Sequence, residues 1–207
     1  MLNHLTLTEL AFLSPASRVA KRSSLALVLL VAAAALVPGA GPLRPDEAQA
    51  AKLIAPAMTC PNRQAGGGAV AMKEARRSMI CMVNYARRKK GLRQYRTRRK
   101  LTWSAGHKAR DILRCGFSHQ ACGRPFDYWI RKSRYLGRGG WSTGENIAWG
   151  SGRLGNVRAI FIAWMKSKGH REAILSGTFT DVGAGVVRGR FEGTTGARIW
   201  VLHFGDN

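Results

Sequence analysis

Residues 156–168, NVRAIFIAWMKSK, and the later runs VGAGV (182–186) and IWVLHF (199–204) decide the fold class. The first run follows an N-cap residue, Asn156, and its apolar side chains recur at helical spacing: Val157, Ile160, Phe161 and Trp164. The two later runs have the period and β-rich composition of strands, and the glycines between them predict an antiparallel hairpin. Because helical patterns precede the strands, the sequence predicts an α+β fold in which helices cover a short sheet.

Further helices are predicted upstream of this region. The first covers residues 70–90, is capped by Gly91, and carries on its polar face Arg76, Arg77, Arg87 and Arg88. A second helix covers residues 101–115 and ends at Gly116, and a short third helix follows Pro125. We expect residues 137–155 to form a glycine-rich loop region around Glu145. Gly169 is expected to stop the helix of 156–168 and to present His170 just beyond it.

The first fifty residues have the order of a secretory signal peptide. A basic stretch is followed by thirteen apolar or small residues (25–37), a Pro-Gly pair, and the small-residue cleavage site Ala48-Gln49-Ala50. The apolar run is shorter than the ~20 residues of a transmembrane helix. We predict cleavage after residue 50 and no membrane span afterwards; cleavage after Ala40 and an uncleaved signal anchor are the alternatives.

The remaining chain is predicted to form one domain. Residues 51–68 contain two prolines and a run of three glycines and are expected to be a flexible N-terminal tail. Residues 69–207 are expected to be the folded domain, and their length fits the usual size of about 100–200 residues. We find no internal repeat.

The exported part is strongly basic. Residues 1–50 hold four basic and three acidic side chains, so the net charge of +23 leaves +22 on residues 51–207. Such a surface attracts polyanions by long-range electrostatics and counterion release. We therefore expect anionic envelope polymers or anionic lipid surfaces as partners; the alternative is a solvated basic surface without a dedicated partner. No zinc-finger spacing or RNA-binding aromatic motif is present, so the charge does not predict specific nucleic-acid binding.

All four cysteines, Cys60, Cys81, Cys115 and Cys122, lie in the exported part. An even number of cysteines in a secreted chain predicts two disulfides, for which three pairings are possible. We favour Cys60–Cys81 and Cys115–Cys122, because each bond would staple a neighbouring segment onto a helix. The second bond would also close a small loop around His119. A thiolate zinc site is the alternative, although no CxxC pair is present.

Three short segments place polar residues in glycine-rich or turn-like settings. They are Phe117-Ser118-His119, Gly144-Glu145-Asn146-Ile147-Ala148 and Gly169-His170-Arg171. Two imidazoles and a carboxylate are suitable ligands for zinc, with water completing the shell. Alternatively, Glu145 orients one histidine by a hydrogen bond. In a chain so poor in acids, a glutamate in this setting indicates a functional site.

These segments resemble the CAP superfamily, which comprises cysteine-rich secretory proteins, antigen 5 and pathogenesis-related class 1 proteins, and in particular its bacterial secreted branch. The family domain is also called SCP. Each motif is weak alone, but five in order over roughly 70–207 make a specific set: Asn84-Tyr85-Ala86-Arg87, Phe117-Ser118-His119, Gly144-Glu145-Asn146-Ile147-Ala148, Trp164-Met165-Lys166-Ser167-Lys168-Gly169-His170-Arg171 and Phe204-Gly205.

The resemblance implies a three-layer α-β-α sandwich with a small antiparallel sheet and a central cleft. In many family members the cleft holds two histidines and two glutamates and binds zinc or magnesium. His119 and His170 match the histidines, and Glu145 matches the first glutamate. The second glutamate would stand three residues after the tryptophan, where this chain has Ser167. The expected ligand cleft is therefore His119, Glu145, Ser167 and His170, and the expected metal ligands are His119, Glu145 and His170.

The absence of the second glutamate favours binding over catalysis, because a usual glycosidase needs two carboxylates. We predict a monomeric binding module, secreted to the extracellular space or cell envelope, whose cleft holds a divalent metal or a small ligand. One alternative is a metal-assisted hydrolase, a protease or wall-degrading enzyme, with His119 or His170 as the base and Glu145 orienting it. The other is a lipid or sterol carrier, which requires an apolar groove.

Other polar and aromatic residues have simpler interpretations. His107 is expected to pack or to lie on the surface of its helix, and His203 in the last strand is expected at most to reach the cleft edge. Trp141 and Trp149 either line the cleft or pack. Nothing in the sequence places Asp127 in the cleft.

Overall fold

The computed structural model describes residues 50–56, 58–60 and 69–207, so the predicted signal peptide lies outside it except for its last residue. Two short 3₁₀ turns, Ala121–Gly123 and Gly152–Gly155, join the regular elements. The helices and strands, in chain order, are α1 (Ala69–Lys89), β1 (Arg96–Thr97), α2 (Arg99–Cys115), α3 (Tyr128–Lys132), β2 (Ser142–Gly150), α4 (Val157–Lys166), α5 (Lys168–Leu175), β3 (Asp181–Phe191) and β4 (Thr194–Asp206).

The four strands form one sheet in the order β1-β3-β4-β2. The predicted hairpin is confirmed: β3 and β4 pair antiparallel, and both turn residues, Glu192 and Gly193, have positive φ, which suits a tight hairpin turn. The sheet is not wholly antiparallel, because β1 pairs parallel with β3. The region expected to be a loop around Glu145 is also different: it forms β2, an edge strand that pairs antiparallel with β4.

Helices cover both faces of this sheet, which confirms the α-β-α sandwich. On one face α2 packs against β3 and β4, and its Ala105, Ala109 and Ile112 lie in the shared core. On the other face α1, α4 and α5 share a larger core with Trp200 and Phe204 of β4. Within the described residues, none of the helices combines the length and apolar character needed to span a membrane.

The contact between α2 and β3 is unusually close. A Cβ atom on Gly183 would lie 2.1 Å from the carbonyl carbon of Leu101, and one on Gly185 would lie 2.3 Å from that of Ala105. Glycine is therefore required at both positions, since any side chain would collide with the helix backbone. This close packing fixes the depth at which α2 lies on the sheet.

The helix preceding His170 ends earlier than predicted. Ser167 has an extended backbone (φ −83°, ψ 123°), so it ends α4 and begins α5. Gly169 is not the stop signal, and His170 lies inside α5 rather than beyond a helix end. The predicted N-cap Asn156 is confirmed, because its side-chain oxygen accepts from the Ala159 backbone N–H.

Arg87 does not lie on a solvent-exposed face of α1 as the helical pattern suggested. It is buried, and its guanidinium donates to the carbonyl oxygens of Ile174 and Ser176 at 3.0 and 2.8 Å and to that of Arg93. It also stacks on the Tyr95 ring. A buried arginine is tolerated here because its N–H groups satisfy carbonyl groups at the end of α5 and in the connector after α1.

Both predicted disulfides are present. Cys60–Cys81 ties the N-terminal segment to α1, and Cys115–Cys122 closes the loop that contains His119. Part of the segment expected to be a flexible tail is packed, since Leu53, Ala55 and Cys60 are buried in the core. The expectation of a flexible tail is wrong for these residues; residues 57 and 61–68 lie outside the described part.

Candidate functional site

The candidate site lies at the edge strand β2, between the two helical layers. Glu145 and Asn146 are consecutive in β2, so their side chains point to opposite faces of the sheet. Glu145 contacts the α2 layer, while the amide of Asn146 donates to the backbone oxygen of His170 in α5 at 3.0 Å. Asn146 therefore fixes the helix that carries His170.

Glu145 is clamped between two imidazoles. Its Oε1 lies 2.7 Å from Nδ1 of His119, and its Oε2 lies 2.8 Å from Nε2 of His203. The Glu145 and His203 side chains are almost wholly buried, and that of His119 is 15% exposed. The expectation that His203 would at most reach the cleft edge is wrong: it pairs with Glu145 across β2 and β4, and cross-strand partners share one face of a sheet.

Two polar residues of α2 complete this buried network. Ser104 Oγ lies 2.7 Å from Nδ1 of His203. The ammonium of Lys108 donates to the backbone oxygen of His119 and lies 3.9 Å from Glu145 Oε1. Neither residue was predicted from the sequence. A sequence pattern could have identified them, because they are polar residues four positions apart on the face of α2 where apolar residues are expected.

The protonation states follow from these contacts. Burial alone raises the pKa of Glu145, but hydrogen bonds from His119 and His203 and the charge of Lys108 outweigh it and lower the pKa. Burial lowers the pKa of Lys108, against the raising effect of Glu145 and Asp111. An ionised Glu145 only accepts hydrogen bonds, so His119 donates through Nδ1, and in its neutral form the lone pair lies on Nε2.

His170 is oriented by Ser167. Ser167 precedes the first residue of α5, and its Oγ lies 2.8 Å from Nδ1 of His170. Burial, together with the charge of His119, lowers the pKa of His170 to about 4. The imidazole is therefore neutral near pH 7. Glu145 contacts His119 directly, and its neighbour Asn146 bonds to the backbone of His170, so residues of the three motifs are linked at β2.

Two ring nitrogens in this site have no partner among the described residues. Nε2 of His119 and Nε2 of His170 are both buried without a hydrogen bond. Unpaired buried polar atoms are rare in native proteins and usually indicate water, an ion or a functional role. Each histidine has its Nδ1 held by Glu145 or Ser167 and its Nε2 available, the arrangement in which a second residue orients an imidazole for a ligand.

The predicted three-ligand metal set does not form as such. Within the described part of the chain, no group of three or more His, Cys, Asp or Glu side chains is arranged to hold a metal ion. Both Glu145 oxygens are engaged by imidazoles, so Glu145 acts as the orienting residue, the alternative considered for it. The donors that fit a divalent metal are the Nε2 atoms of His119 and His170, with water as the remaining ligands.

The other singled-out residues lie outside this network. Trp149 is buried and packs on Phe191, and Trp141 is exposed beside Arg131. Asp127 pairs with Arg131 on α3. His107 stacks on aromatic rings at the surface of α2, in agreement with its predicted packing role.

The fold defines a class of protein, and comparison with known proteins agrees. The model of the cysteine-rich secretory protein family (CAP) matches residues 80–204. The chain therefore belongs to the CAP family. It is also 35% identical over 114 residues to the uncharacterized protein YkwD of Bacillus subtilis (strain 168). That match covers 54% of this chain and only 42% of YkwD.

Solved structures show the same fold at low sequence identity. An extracellular protein containing an SCP domain from Bacillus anthracis superposes with a TM-score of 0.54 at 19% identity, covering 67% of this chain and 43% of that protein. An outer surface protein from Borrelia burgdorferi superposes with a TM-score of 0.55 at 20% identity, covering 66% of this chain and 95% of that one. At this identity the likeness supports the fold and no particular activity.

Proposed function

We propose that this protein is an extracellular or envelope-associated bacterial CAP-domain binding module whose cleft holds a divalent metal, or a small polar ligand, through His119 and His170. The observation that carries the proposal is the pair of buried, unpartnered Nε2 atoms. The extracellular and outer-surface descriptions of the structural relatives support the location. Zinc or magnesium bound there would supply a positive charge that attracts an anionic or carbonyl oxygen.

The proposed ligand atoms are held in place before binding. His119 is fixed by Glu145, which is itself held by His203 and lies near Lys108. His170 is fixed by Ser167. Pre-orientation reduces the entropy lost on binding. Two protein ligands give weaker affinity than the three or four of a structural zinc site, which suits exchangeable binding.

Metal titration of the purified protein tests the cleft. Calorimetry with zinc should show one site that is lost in His119→Ala and in His170→Ala. His107→Ala is the matched control, because His107 is a partly exposed histidine outside the network. Equal zinc binding by wild type and all three variants would rule out the proposed site.

The surface charge supports a second part of the proposal, the binding of anionic envelope polymers or anionic lipid surfaces. Six acidic residues already form salt bridges with cationic side chains. Because the basic residues far outnumber the acids, most of the positive charge remains exposed to solvent. The six acids are Glu74, Asp111, Asp127, Glu145, Glu172 and Asp181. Binding to isolated anionic polymers should weaken steeply with salt. Negligible binding that does not change with salt would contradict this part.

A metal-assisted hydrolase is the second candidate, and the Glu145–His119 pair at 2.7 Å favours it. A carboxylate that orients an imidazole with a free Nε2 is the arrangement of a general base. This function predicts turnover that disappears in folded His119→Ala and Glu145→Gln variants. A protease and wall-glycan substrate screen without turnover, with zinc or magnesium added, would remove its support.

A lipid or sterol carrier receives little support from the apolar groove found between Ile54 of the N-terminal segment and Ile162 and Met165 of α4. Its volume is about 260 Å³, below the ~300–1,000 Å³ usual for ligand pockets.

A further inference from the structure

A second groove lies on the outer surface of α2. Its volume is about 400 Å³, and it is lined by Arg99, Lys100, Trp103, Lys132 and Ser133. The side of α2 that contacts the sheet carries Leu101 and Ala105, so this groove opens on another side of the helix from the Glu145 network. Trp103 is 44% exposed, one of few large apolar side chains exposed in the described residues.

The Trp103 indole is held by neighbouring rings. It packs on the His107 ring at 4.0 Å between centroids, and His107 in turn stacks on Trp129 at 4.4 Å. Trp129 is anchored by a hydrogen bond from its Nε1 to the buried carboxylate of Asp111. A ligand that stacks on Trp103 therefore meets a platform that is already ordered, which limits the entropy cost of binding.

The side chains around this platform are positively charged, and no carboxylate among the described residues neutralises them. Among the described residues no carboxylate pairs with Arg99 or Lys132 in a salt bridge, and both are exposed. The ammonium of Lys100 donates to the Arg134 backbone oxygen and keeps further N–H groups for a ligand. Asp127, which precedes α3, is paired with Arg131. The groove therefore complements an anion.

One aromatic platform surrounded by cations fits an acidic sugar polymer better than a nucleic acid. A sugar ring has an apolar C–H face that stacks on the negative face of an indole, and a uronic acid adds a carboxylate to each unit. Single-stranded nucleic acids are held by several aromatic rings that stack successive bases, whereas Trp103 is the one aromatic residue among the described residues that line this groove.

We propose that the groove formed by Arg99, Lys100, Trp103, Lys132 and Ser133 binds an acidic polysaccharide of the polyuronate type. The sugar ring stacks on Trp103, and the carboxylates pair with Arg99, Lys100 and Lys132. This inference rests on the proposed binding of anionic polymers and assigns it to a particular site, separate from the histidine cleft.

The test is calorimetric and fluorescence titration of the full chain with polygalacturonate, and with dextran as a neutral polymer. Trp103→Ala should weaken polygalacturonate binding about tenfold, which corresponds to about 1.4 kcal/mol. Arg99→Ser/Lys132→Ser should weaken it at least as much. The matched control is Arg188→Ser/Arg190→Ser, which removes the same charge from exposed positions of β3 and should weaken binding about twofold or less. Polygalacturonate should change the tryptophan emission of wild type but not of Trp103→Phe.

Each outcome separates the site from the general charge. Equal losses of polygalacturonate affinity in the two double variants would overturn the groove as the binding site, while the general binding of anionic polymers would stand. No binding of polygalacturonate by wild type would overturn the polysaccharide proposal, while the general proposal would fall only if isolated anionic envelope polymers were not bound either. If single-stranded DNA bound more tightly than polygalacturonate and depended equally on Trp103, the groove would be a nucleic-acid site and the polysaccharide proposal would be wrong.

Discussion

Glu145 and His203 lie directly opposite each other on β2 and β4, and their buried side chains meet at 2.8 Å. This contact joins the carboxylate that orients His119 to the last strand of the fold. It also links Glu145, through His203, to Ser104 of α2. The position of His119 therefore depends on the register of two strands and on the depth of a helix.

The coupling between Glu145 and His203 is measurable by a double-mutant cycle. His203→Ala should destabilise the protein by roughly 2–4 kcal/mol, because it leaves a buried carboxylate with one donor fewer. His203→Gln keeps a donor and should cost less. In urea unfolding the pair His203→Ala and Glu145→Ala should show a coupling of about 1–3 kcal/mol, whereas His107→Ala and Glu145→Ala should be additive. Additivity for the first pair would contradict the contact.

Ser167 stands where the family resemblance implies a glutamate, and its role can be tested by substitution. Ser167→Ala removes the hydrogen bond to His170 and should lower zinc affinity by about 10–100-fold. Ser167→Glu adds a carboxylate and should bind zinc more tightly than wild type. Ser151→Ala is the control, because Ser151 precedes a 3₁₀ turn without a side-chain cap. If Ser167→Ala bound zinc more tightly than wild type and Ser167→Glu bound it more weakly, Ser167 would not be the residue that orients His170.

Asp181 should make the protein sensitive to acid. Burial raises the pKa of Asp181, but hydrogen bonds from Tyr135, Arg98 and Arg96 outweigh it and lower the pKa. Its stabilising contribution is therefore complete above the unfolded pKa of about 3.9 and is lost as the pH falls through the lower folded value.

Urea unfolding of Asp181→Asn across this range checks the effect. The variant should be less stable than wild type at neutral pH, and the difference should shrink below about pH 4. Glu192→Gln, at the exposed hairpin turn, is the control and should leave the pH dependence unchanged. If the stability difference between wild type and Asp181→Asn did not change with pH, Asp181 would not be the source of the acid sensitivity.

Gly183 is predicted to tolerate no side chain. A Cβ atom there would lie 2.1 Å from the Leu101 carbonyl carbon, so Gly183→Ala should cost about 3 kcal/mol or more. Gly177→Ala is the matched control, because nothing lies within 4 Å of its Cβ position, and its effect should stay within about 0.5 kcal/mol. Thermal unfolding of both variants distinguishes them, and equal melting temperatures would argue against close packing of α2 on β3.

The two disulfides should affect the site differently. Removing Cys115–Cys122 with paired serines should cost about 2–3 kcal/mol from loop entropy and should also weaken zinc binding, because His119 lies inside the closed loop. Removing Cys60–Cys81 should cost about 3 kcal/mol and leave zinc affinity unchanged in the folded protein. A loss of zinc affinity in the second variant would show that the loop around His119 has no special role.

Local patterns in the sequence predicted much of this fold. The helices α1 and α2, the N-cap Asn156 and the β3–β4 hairpin follow from periodicity and turn chemistry, which act between near neighbours. The two favoured cysteine pairings, each expected to staple a neighbouring segment onto a helix, are also confirmed. The break at Ser167 was missed, because a one-residue change to extended backbone does not disturb the apolar pattern on either side.

By itself, the sequence determined the ordered motifs, and with them the family and three residues of the candidate site, His119, Glu145 and His170. Only the tertiary structure decided that Glu145 lies in an edge strand, that His203 and Lys108 surround it, and that Arg87 is buried. Strand register and the burial of a polar side chain depend on partners far away in sequence, 58 positions for Glu145 and His203. A one-residue slip of β4 would turn His203 to the opposite face of the sheet, so the site exists only once the sheet has formed in this register.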